Sequence, residues 1–306
     1  MTSAMPAETG HHSPRTGAPH RPRIGIVKFA SCDGCQLTLL DLEDELLAIA
    51  EKVDLVEFAE ATSRRSSGPF DVLFVEGSIS TPEQVEEIAR LRAESRKLVV
   101  IGACATAGGI QAIRNWFDHD EMRAAVYPEP VFVESLAMAR PVADFVAVDA
   151  EIRGCPISPA QLREFLIALV TGRRPQLPDE AVCLECKRRG VVCVAVARGI
   201  PCLGPVTRTG CGALCPAYGR GCYGCFGPRE QANAQSLATW FGDGRTGPEV
   251  GRLFAGFTAW SEPFRAVIDA NGGPPGPAKA PVAAPPDAPA SAPADRAAGS
   301  SETTDA

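Results

Sequence analysis

Cysteine is the residue type that most constrains what this chain can fold into. Of the 12 cysteines in 306 residues, eight lie in one segment, spaced C-x2-C-x6-C-x8-C and then C-x3-C-x6-C-x2-C. These eight are Cys183, Cys186, Cys193, Cys202, Cys211, Cys215, Cys222 and Cys225. The other four, Cys32, Cys35, Cys104 and Cys155, are spread along the preceding part of the chain. A fold for this sequence must therefore accommodate two differently arranged groups of thiols.

The expected location of the chain decides how these thiols are interpreted. Residues 1–23 are polar and lack the apolar core of a signal peptide, and no apolar run is long enough to cross a bilayer. We therefore expect a cytoplasmic protein without membrane insertion. Disulfides are rare in that reducing compartment, which leaves metal ligands or redox thiols. The net charge of −7 does not favour nucleic acid as a partner.

Strand and helix patterns alternate from Ile24 onwards. Strand patterns cover residues 24–30, 54–59, 71–75, 97–102 and, more weakly, 144–148, and helix patterns cover 36–50, 81–95 and 158–172. Thr81, Pro82 and Gln84 have the order of a helix N-cap, a first helical residue and a capping-box partner. The alternation predicts an α/β fold with a flavodoxin-like, doubly wound parallel sheet.

Each of the first four cysteines follows a predicted strand. Cys32 and Cys35 come after the first strand, Cys104 after the strand at 97–102, and Cys155 after the segment at 144–148. Because the carboxyl ends of parallel strands open onto one crevice, we expect the four thiols to meet there. One such cysteine alone is as readily a small buried hydrophobe, but four at matching positions favour a four-thiolate site.

Glu76 is the one carboxylate that the pattern singles out, because it ends a buried strand beside this site. Two interpretations are open for it. It positions the cysteine loops or a partner's residue, or it is a solvated loop acid.

The eight-cysteine segment, residues 183–225, has few large apolar residues and many Gly and Pro. Such a segment needs a metal to fold, and ferredoxin-like modules meet the same need with two 4Fe-4S clusters, each held by four thiolates. Zinc competes for the two C-x2-C pairs but leaves the four cysteines between them without a role. A nickel-iron ligand motif, R-x-C-x-x-C, is loosely matched from Arg220 to Cys225, but no matching C-terminal ligand pair follows.

Composition divides the chain further. We expect a disordered segment at 1–22, a flavodoxin-like domain at 23–175, a cysteine-rich ferredoxin-like iron-sulfur segment at 176–232, a helical extension at 233–270 and a disordered Pro/Ala-rich tail at 271–306.

The three loops that carry the first four cysteines, together with one turn without cysteine, resemble the proximal-cluster domain of nickel-iron hydrogenase small subunits. The residues that carry this resemblance are Cys32-Asp33-Gly34-Cys35, Val75-Glu76-Gly77-Ser78-Ile79, Gly102 to Gly109 and Gly154-Cys155-Pro156. Residues 183–228 are similar to the C-terminal cluster segment of the cytoplasmic small subunits, of the sulfhydrogenase delta, NAD(P)-linked or heterodisulfide-reductase-linked type. The 20 kDa subunit of NADH:ubiquinone oxidoreductase is a more distant resemblance, since it has adjacent cysteines where Asp33 and Gly34 intervene here.

This resemblance implies three 4Fe-4S clusters. Cys32, Cys35, Cys104 and Cys155 would hold the proximal cluster, Cys183, Cys186, Cys193 and Cys202 a second, and Cys211, Cys215, Cys222 and Cys225 a third. It implies an oxidoreductase subunit, part of a hydrogenase, that carries electrons without substrate chemistry or catalytic residues of its own. The implied partners are a nickel-iron large subunit, facing the first cysteine set, and a flavin/NAD(P)-binding diaphorase subunit, with a further ferredoxin-like subunit as an additional candidate.

Two other function classes fit part of the sequence. A subunit of a complex I-like, membrane-linked complex would normally lack the eight-cysteine segment, and a free ferredoxin-like carrier would not need the α/β domain. A heterodisulfide-reductase-linked oxidoreductase is the nearer alternative. The chain has no G-x-G-x-x-G opening a helix after a strand and no P-loop motif, so we expect any nucleotide to bind on another subunit.

Overall fold

Five parallel strands form the sheet around which the first part of the chain folds. The computed structural model describes residues 21–273. In chain order the strands are β1 (Arg23–Lys28), β2 (Asp54–Phe58), β3 (Phe70–Glu76), β4 (Ser95–Ile101) and β5 (Ala150–Ile152). They pair in the order β2-β1-β3-β4-β5, and every pairing is parallel. The predicted flavodoxin-like order of a doubly wound sheet is confirmed.

Helices connect the strands and continue to the C-terminal side of the described chain. They are α1 (Gly34–Leu40), α2 (Asp44–Ala50), α3 (Pro82–Glu94), α4 (Gly102–Ala107), α5 (His119–Val126), α6 (Pro159–Thr171), α7 (Val182–Arg188), α8 (Val194–Arg198), α9 (Leu214–Ala217), α10 (Ala234–Phe241), α11 (Gly247–Phe254) and α12 (Glu262–Ala270). Short 3-10 turns cover Ile110–Trp116, Pro130–Phe132 and Val142–Asp144.

Helix α3 begins with the capping box that the sequence predicts. The Gln84 amide donates to the Thr81 hydroxyl at 3.3 Å, and the Thr81 amide donates to the Gln84 side-chain oxygen at 3.2 Å. These two bonds satisfy backbone donors that the first turn of a helix leaves unpaired. Helix α6 also ends as predicted, with Gly172 in a left-handed conformation.

Both faces of the sheet are buried, which explains the nearly continuous apolar run of β3. On one face Phe74 packs edge-on against Phe165 of α6, with ring centroids 5.8 Å apart. On the other face Leu73 and Val75 pack in a second core with Ile88 of α3. Successive strand residues point to opposite faces, so a strand covered on both sides needs apolar residues at every position.

The predicted helix over residues 36–50 is two helices rather than one. The backbone breaks after Leu40, and Glu43 has a φ of +46°, which a right-handed helix does not allow. The break lets Leu39 and Leu42 both reach the core, where they are 2% and 6% exposed. Leucine spacing alone does not reveal it, because the apolar positions continue through the turn.

The predicted strand at 144–148 is wrong in position. Residues Val142–Asp144 form a 3-10 turn, and the fifth strand is Ala150–Ile152. Pairing with β4 begins at Asp149, whose amide donates to the Leu98 carbonyl while its carboxylate accepts from the Leu98 amide. The apolar residues Phe145, Val146 and Val148 pack against the sheet core from a loop, so their hydrophobicity reflects burial rather than strand structure.

Helices α10, α11 and α12 supply a core for the cysteine-rich segment. Phe254 and Phe264 pack edge-on with centroids 5.6 Å apart, and Leu203 and Val206 of the segment join the same core. The Thr258 hydroxyl also donates to the Gly224 carbonyl at 2.7 Å. The segment's own apolar residues are few, but those of the following helices complete its core.

The ends of the chain lie largely beyond the described part. The predicted disordered segments, 1–22 and 271–306, fall outside the described residues except for 21–22 and 271–273. Among residues 21–273, no helix combines the length and the apolar character that crossing a membrane demands.

We expect Phe264→Ala to destabilise the cysteine-rich half of the chain. Phe264 is fully buried, and loss of such a side chain costs about 3–5 kcal/mol of unfolding free energy. The matched control is Phe132→Ala, because Phe132 is 83% exposed and should change stability by no more than about 0.5 kcal/mol. Urea unfolding followed by circular dichroism measures both, and equal midpoints for the two variants would contradict this core.

Candidate metal-cluster sites

The first cysteine set, Cys32, Cys35, Cys104 and Cys155, lies at the carboxyl edge of the sheet. Cys32 and Cys35 follow β1, Cys104 lies in α4 directly after β4, and Cys155 follows β5. Burial, followed by the charges of neighbouring thiols, raises the pKa of Cys104 and of Cys155 to about 11. The charge of Cys32 contributes to both shifts, and Cys104 and Cys155 contribute to the raised pKa of Cys35. The structure therefore brings all four together.

Two glycines leave room for these sulfur atoms. A Cβ at Gly102 would lie 2.4 Å from the Cys35 Sγ, and a Cβ at Gly109 would lie 2.6 Å from the Cys104 Sγ. Both residues also have positive φ, +83° and +65°, which L side chains rarely adopt. The backbone can approach the thiols here only because both positions are glycine.

Glu76 supports the loop that carries Cys32 and Cys35. The carboxylate is 2% exposed and accepts hydrogen bonds from the amides of Cys35, at 3.2 Å, and Gln36, at 3.1 Å. Burial raises the pKa of this carboxyl, and the two amide donations oppose that rise. The geometry is that of a buried positioning group rather than a solvated loop acid.

Gln111 is a contact of the first set that sequence reasoning missed. Its amide donates to the Ala30 carbonyl at 2.9 Å, which joins the loop after β4 to the loop after β1. The Gln111 side chain also interacts with the Cys104 thiol and lowers its pKa, which partly offsets the rise that burial causes. A glutamine two residues after a glycine pair carries no sequence signal for this role.

The second set, Cys183, Cys186, Cys193 and Cys202, also converges. Cys183 and Cys186 lie on α7, Cys193 is the residue before α8, and Cys202 follows it. Burial is the main cause that raises the pKa of Cys183 to about 11, and the charges of the other three thiols add to it. Cys202 is buried, whereas Cys193 is exposed.

The third set, Cys211, Cys215, Cys222 and Cys225, lies between the other two. All four line a cavity of about 600 Å³, together with Cys155 of the first set. Burial raises the pKa of Cys225 to about 11, with contributions from the charges of Cys215, Cys155 and Cys211. On its other side, the Cys222 amide donates to the Cys202 Sγ at 3.2 Å. The spatial order of the sets is thus first, third, second.

Glu185 joins the second and third sets and was also missed. This residue stands inside the Cys183–Cys186 spacing, and its carboxylate accepts from the amides of Gly210, at 2.9 Å, and Ala213, at 3.1 Å. The same carboxylate lies 3.9 Å from the Cys211 Sγ. An acid within a C-x2-C motif is the only sequence signal for this role.

These donor sets fit iron-sulfur clusters. Such clusters are held by four thiolates each, and the twelve free cysteines are enough for three such sets. Burial and mutual repulsion disfavour the thiolate forms, a cost that binding to iron offsets. Across residues 21–273, no three His, Cys, Asp or Glu side chains gather as tightly as a single metal ion requires.

Comparisons with known proteins agree with this architecture. A sequence model of the family described as NADH ubiquinone oxidoreductase, 20 Kd subunit, matches residues 32–169. Sulfhydrogenase 2 subunit delta of Pyrococcus furiosus is 37% identical over 238 residues, which are 78% of this chain and 100% of that protein. A vhu subunit of the F420-non-reducing hydrogenase of Methanocaldococcus jannaschii is 32% identical over 240 residues, 69% of this chain and 83% of that protein.

A solved structure is similar over a shorter region. A chain in the crystal structure of an NAD+-reducing [NiFe]-hydrogenase in its H2-reduced state is 29% identical, with a TM-score of 0.49. The match covers 52% of this chain and 96% of that chain. The identities and coverages of the two sequence relatives establish kinship. The chain belongs to the family of hydrogenase subunits that includes sulfhydrogenase subunit delta and the vhu subunit of F420-non-reducing hydrogenase.

Proposed function

We propose that this chain is the electron-relay subunit of a cytoplasmic nickel-iron hydrogenase. It carries electrons through three 4Fe-4S clusters between a nickel-iron large subunit and a flavin/NAD(P)-binding diaphorase partner. The observation that carries the proposal is the unbroken succession of thiol sets. Cys155 borders the cavity of the third set, and Cys222 of that set contacts Cys202 of the second.

The protein's own residues have defined tasks in such a relay. Bound clusters would supply reversible one-electron chemistry. The thiols hold them, Glu76 and Gln111 fix the loops of the first set, and Glu185 fixes the third set against the second. Cys193 of the second set and Cys32 of the first set are exposed to solvent, whereas the four thiols of the third set are partly buried.

The two ends of the relay differ in ways that suit different partners. The glycine-rich loops around the first set offer a close backbone approach, which suits the large subunit's nickel-iron site. The second set lies at the other end and includes the exposed Cys193, which suits the diaphorase or a further ferredoxin-like subunit. No nucleotide-binding motif is present in this sequence, which supports a flavin or NAD(P) on another chain.

A complex I-like iron-sulfur subunit is the second candidate. It is favoured by the family match to the 20 Kd subunit, which spans residues 32–169. The eight-cysteine segment lies beyond that match, whereas sulfhydrogenase subunit delta is covered over its full length. The hydrogenase assignment therefore accounts for more of the chain.

Metal content tests the relay directly. The full-length chain, reconstituted anaerobically with iron and sulfide, should bind about twelve irons and about twelve sulfides, four of each for every set of thiols. Elemental analysis and electron paramagnetic resonance of the reduced protein measure this. Zinc in place of iron, or an iron content near four, would rule out the three-cluster relay.

We expect Cys215→Ala to interrupt the relay in its middle. The variant should lose about four irons and abolish hydrogen-driven reduction of NAD(P) by the complex, because the third set joins the other two. Hydrogen–deuterium exchange at the large subunit should persist. The control is Ala217→Ser in the same helix, α9, which adds a hydroxyl without removing a thiol. Full NAD(P) reduction by Cys215→Ala would contradict the spatial order of the sets.

We expect Glu76→Gln to weaken retention of the first cluster. The glutamine turns an amide NH2 towards one of two backbone donors, and leaving such a buried donor unpaired costs about 1–3 kcal/mol. Iron release to a chelator should accelerate for about a third of the bound iron. Glu86→Gln, on the exposed side of α3, makes the same chemical change as a control. Equal release rates for both variants would refute a positioning role for Glu76.

A further inference from the structure

The surface around the second cysteine set is strongly basic in an acidic protein. Between residues 182 and 225 the chain has six Lys or Arg and one Asp or Glu, whereas its net charge is −7. Five of these cations are exposed, and we call them the basic surface: Lys187, Arg188, Arg189, Arg198 and Arg220. The single acid, Glu185, accepts from backbone amides and forms no ion pair with these cations within residues 21–273.

The cations border turns that carry the cysteines. Lys187 lies close enough to Cys183 for its charge to oppose the rise in the pKa of that thiol. Arg189 donates to the Gly212 carbonyl, next to Cys211. The Arg198 guanidinium lies beside Gly219, 2.7 Å from where a Cβ would be. The positive charge is thus distributed around one end of the relay.

None of these five side chains forms an ion pair with another residue of the described range 21–273, whereas some cations elsewhere do. Lys28, for example, pairs with Asp33 and Glu60, and Arg173 pairs with Glu164. The Arg220 guanidinium contacts the Tyr223 side chain, through its ring face and its hydroxyl, and both of these groups are uncharged. The charges of the basic surface therefore remain available to an external anion.

Exposed apolar side chains lie among the cations. Val192 and Val196 flank the exposed Cys193 and are 69% and 82% exposed, and Tyr218, beside Gly219, is 78% exposed. An apolar centre with a charged rim is the usual composition of a protein–protein contact, whereas a surface that binds only small ions needs no apolar centre. The combination points to a protein partner.

We propose that the basic surface docks an electron-transfer protein with an acidic face, and that it does so over the second cysteine set. This inference rests on the proposed relay and adds the charge of the partner's contact face. On docking, the partner's redox centre would gain one electron, and a cluster held by the second set would supply it. No bond forms and no proton moves. Opposite charges speed the encounter and orient the partner over Cys193.

The test is binding of an acidic plant-type [2Fe-2S] ferredoxin, used as the probe, to the complex of this chain with the nickel-iron large subunit, prepared without the diaphorase. The dissociation constant should rise at least about tenfold between low and high ionic strength, because salt screens exposed charges. Lys187→Glu with Arg188→Glu should weaken binding at low salt by about tenfold or more. The matched control is Arg96→Glu with Lys97→Glu, two exposed cations at the amino end of β4, which should leave binding unchanged.

A carbodiimide, which joins lysine amines to carboxylates, provides a second readout. Lys187 is the only lysine between residues 98 and 278, so a cross-link to the acidic probe identifies the surface. Linkage at Lys187 in preference to Lys97 is expected. Linkage at Lys97, Lys28 or Lys52 instead, or equal binding by both charge-reversal pairs, would overturn the proposal. If the variant with Glu at both positions loses iron, Lys187→Gln with Arg188→Gln takes its place. Its binding of the probe is then compared with that of the Arg96 and Lys97 control variant.

Hydrogen-driven reduction of methyl viologen separates this inference from the proposed function. Viologen is a small cation and does not need an acidic-protein dock. A wild-type complex that fails to reduce viologen refutes the relay itself. A complex that reduces viologen but binds the acidic probe independently of salt refutes only the docking surface.

Discussion

The electrostatic cost of gathering buried thiolates is the constraint on which the rest of this structure depends. Burial, with the charges of neighbouring thiols, raises the pKa values of Cys104, Cys183 and Cys225 above the usual range of cysteine. Without a metal these groups would stay protonated and neutral, and nothing would favour bringing four of them together. The arrangement becomes favourable when a cationic metal cluster binds the thiolates, so cluster binding and folding of the cysteine-rich segment are coupled.

Two carboxylates, the buried Glu76 and the partly buried Glu185, hold the cysteine loops. Glu76 accepts from successive amides at the start of α1, and Glu185 accepts from two amides of the turn around Cys211. In both cases the acid comes from a regular element and reaches a segment that carries cysteines. Each bond therefore fixes a cysteine-bearing turn against a rigid part of the fold, which is what a site with little tolerance for movement requires.

The C-terminal helices explain how the glycine- and proline-rich cysteine segment is held against the α/β part of the chain. Leu203 and Val206 enter a core formed mainly by α10, α11 and α12, and Trp116 from the α/β part packs against Trp260 with ring centroids 5.0 Å apart. The Trp116 indole also donates to Asp269 of α12. The cysteine-rich segment is thereby held between the sheet and these helices, and the third set is brought against the first.

The sequence by itself determined the alternating strands and helices, the parallel sheet and the placement of Cys32, Cys35, Cys104 and Cys155 at strand ends. These features follow from local periodicity and from the rule that parallel strands share one carboxyl edge. Only the tertiary structure decided that the third set lies between the other two, that β5 is Ala150–Ile152, and that Gln111 and Glu185 join separate loops. Cys155 borders the cavity that Cys225 lines, and Cys202 contacts Cys222. Such contacts depend on how segments far apart in the sequence pack against each other, and the spacing of residues along the chain carries no information about that packing.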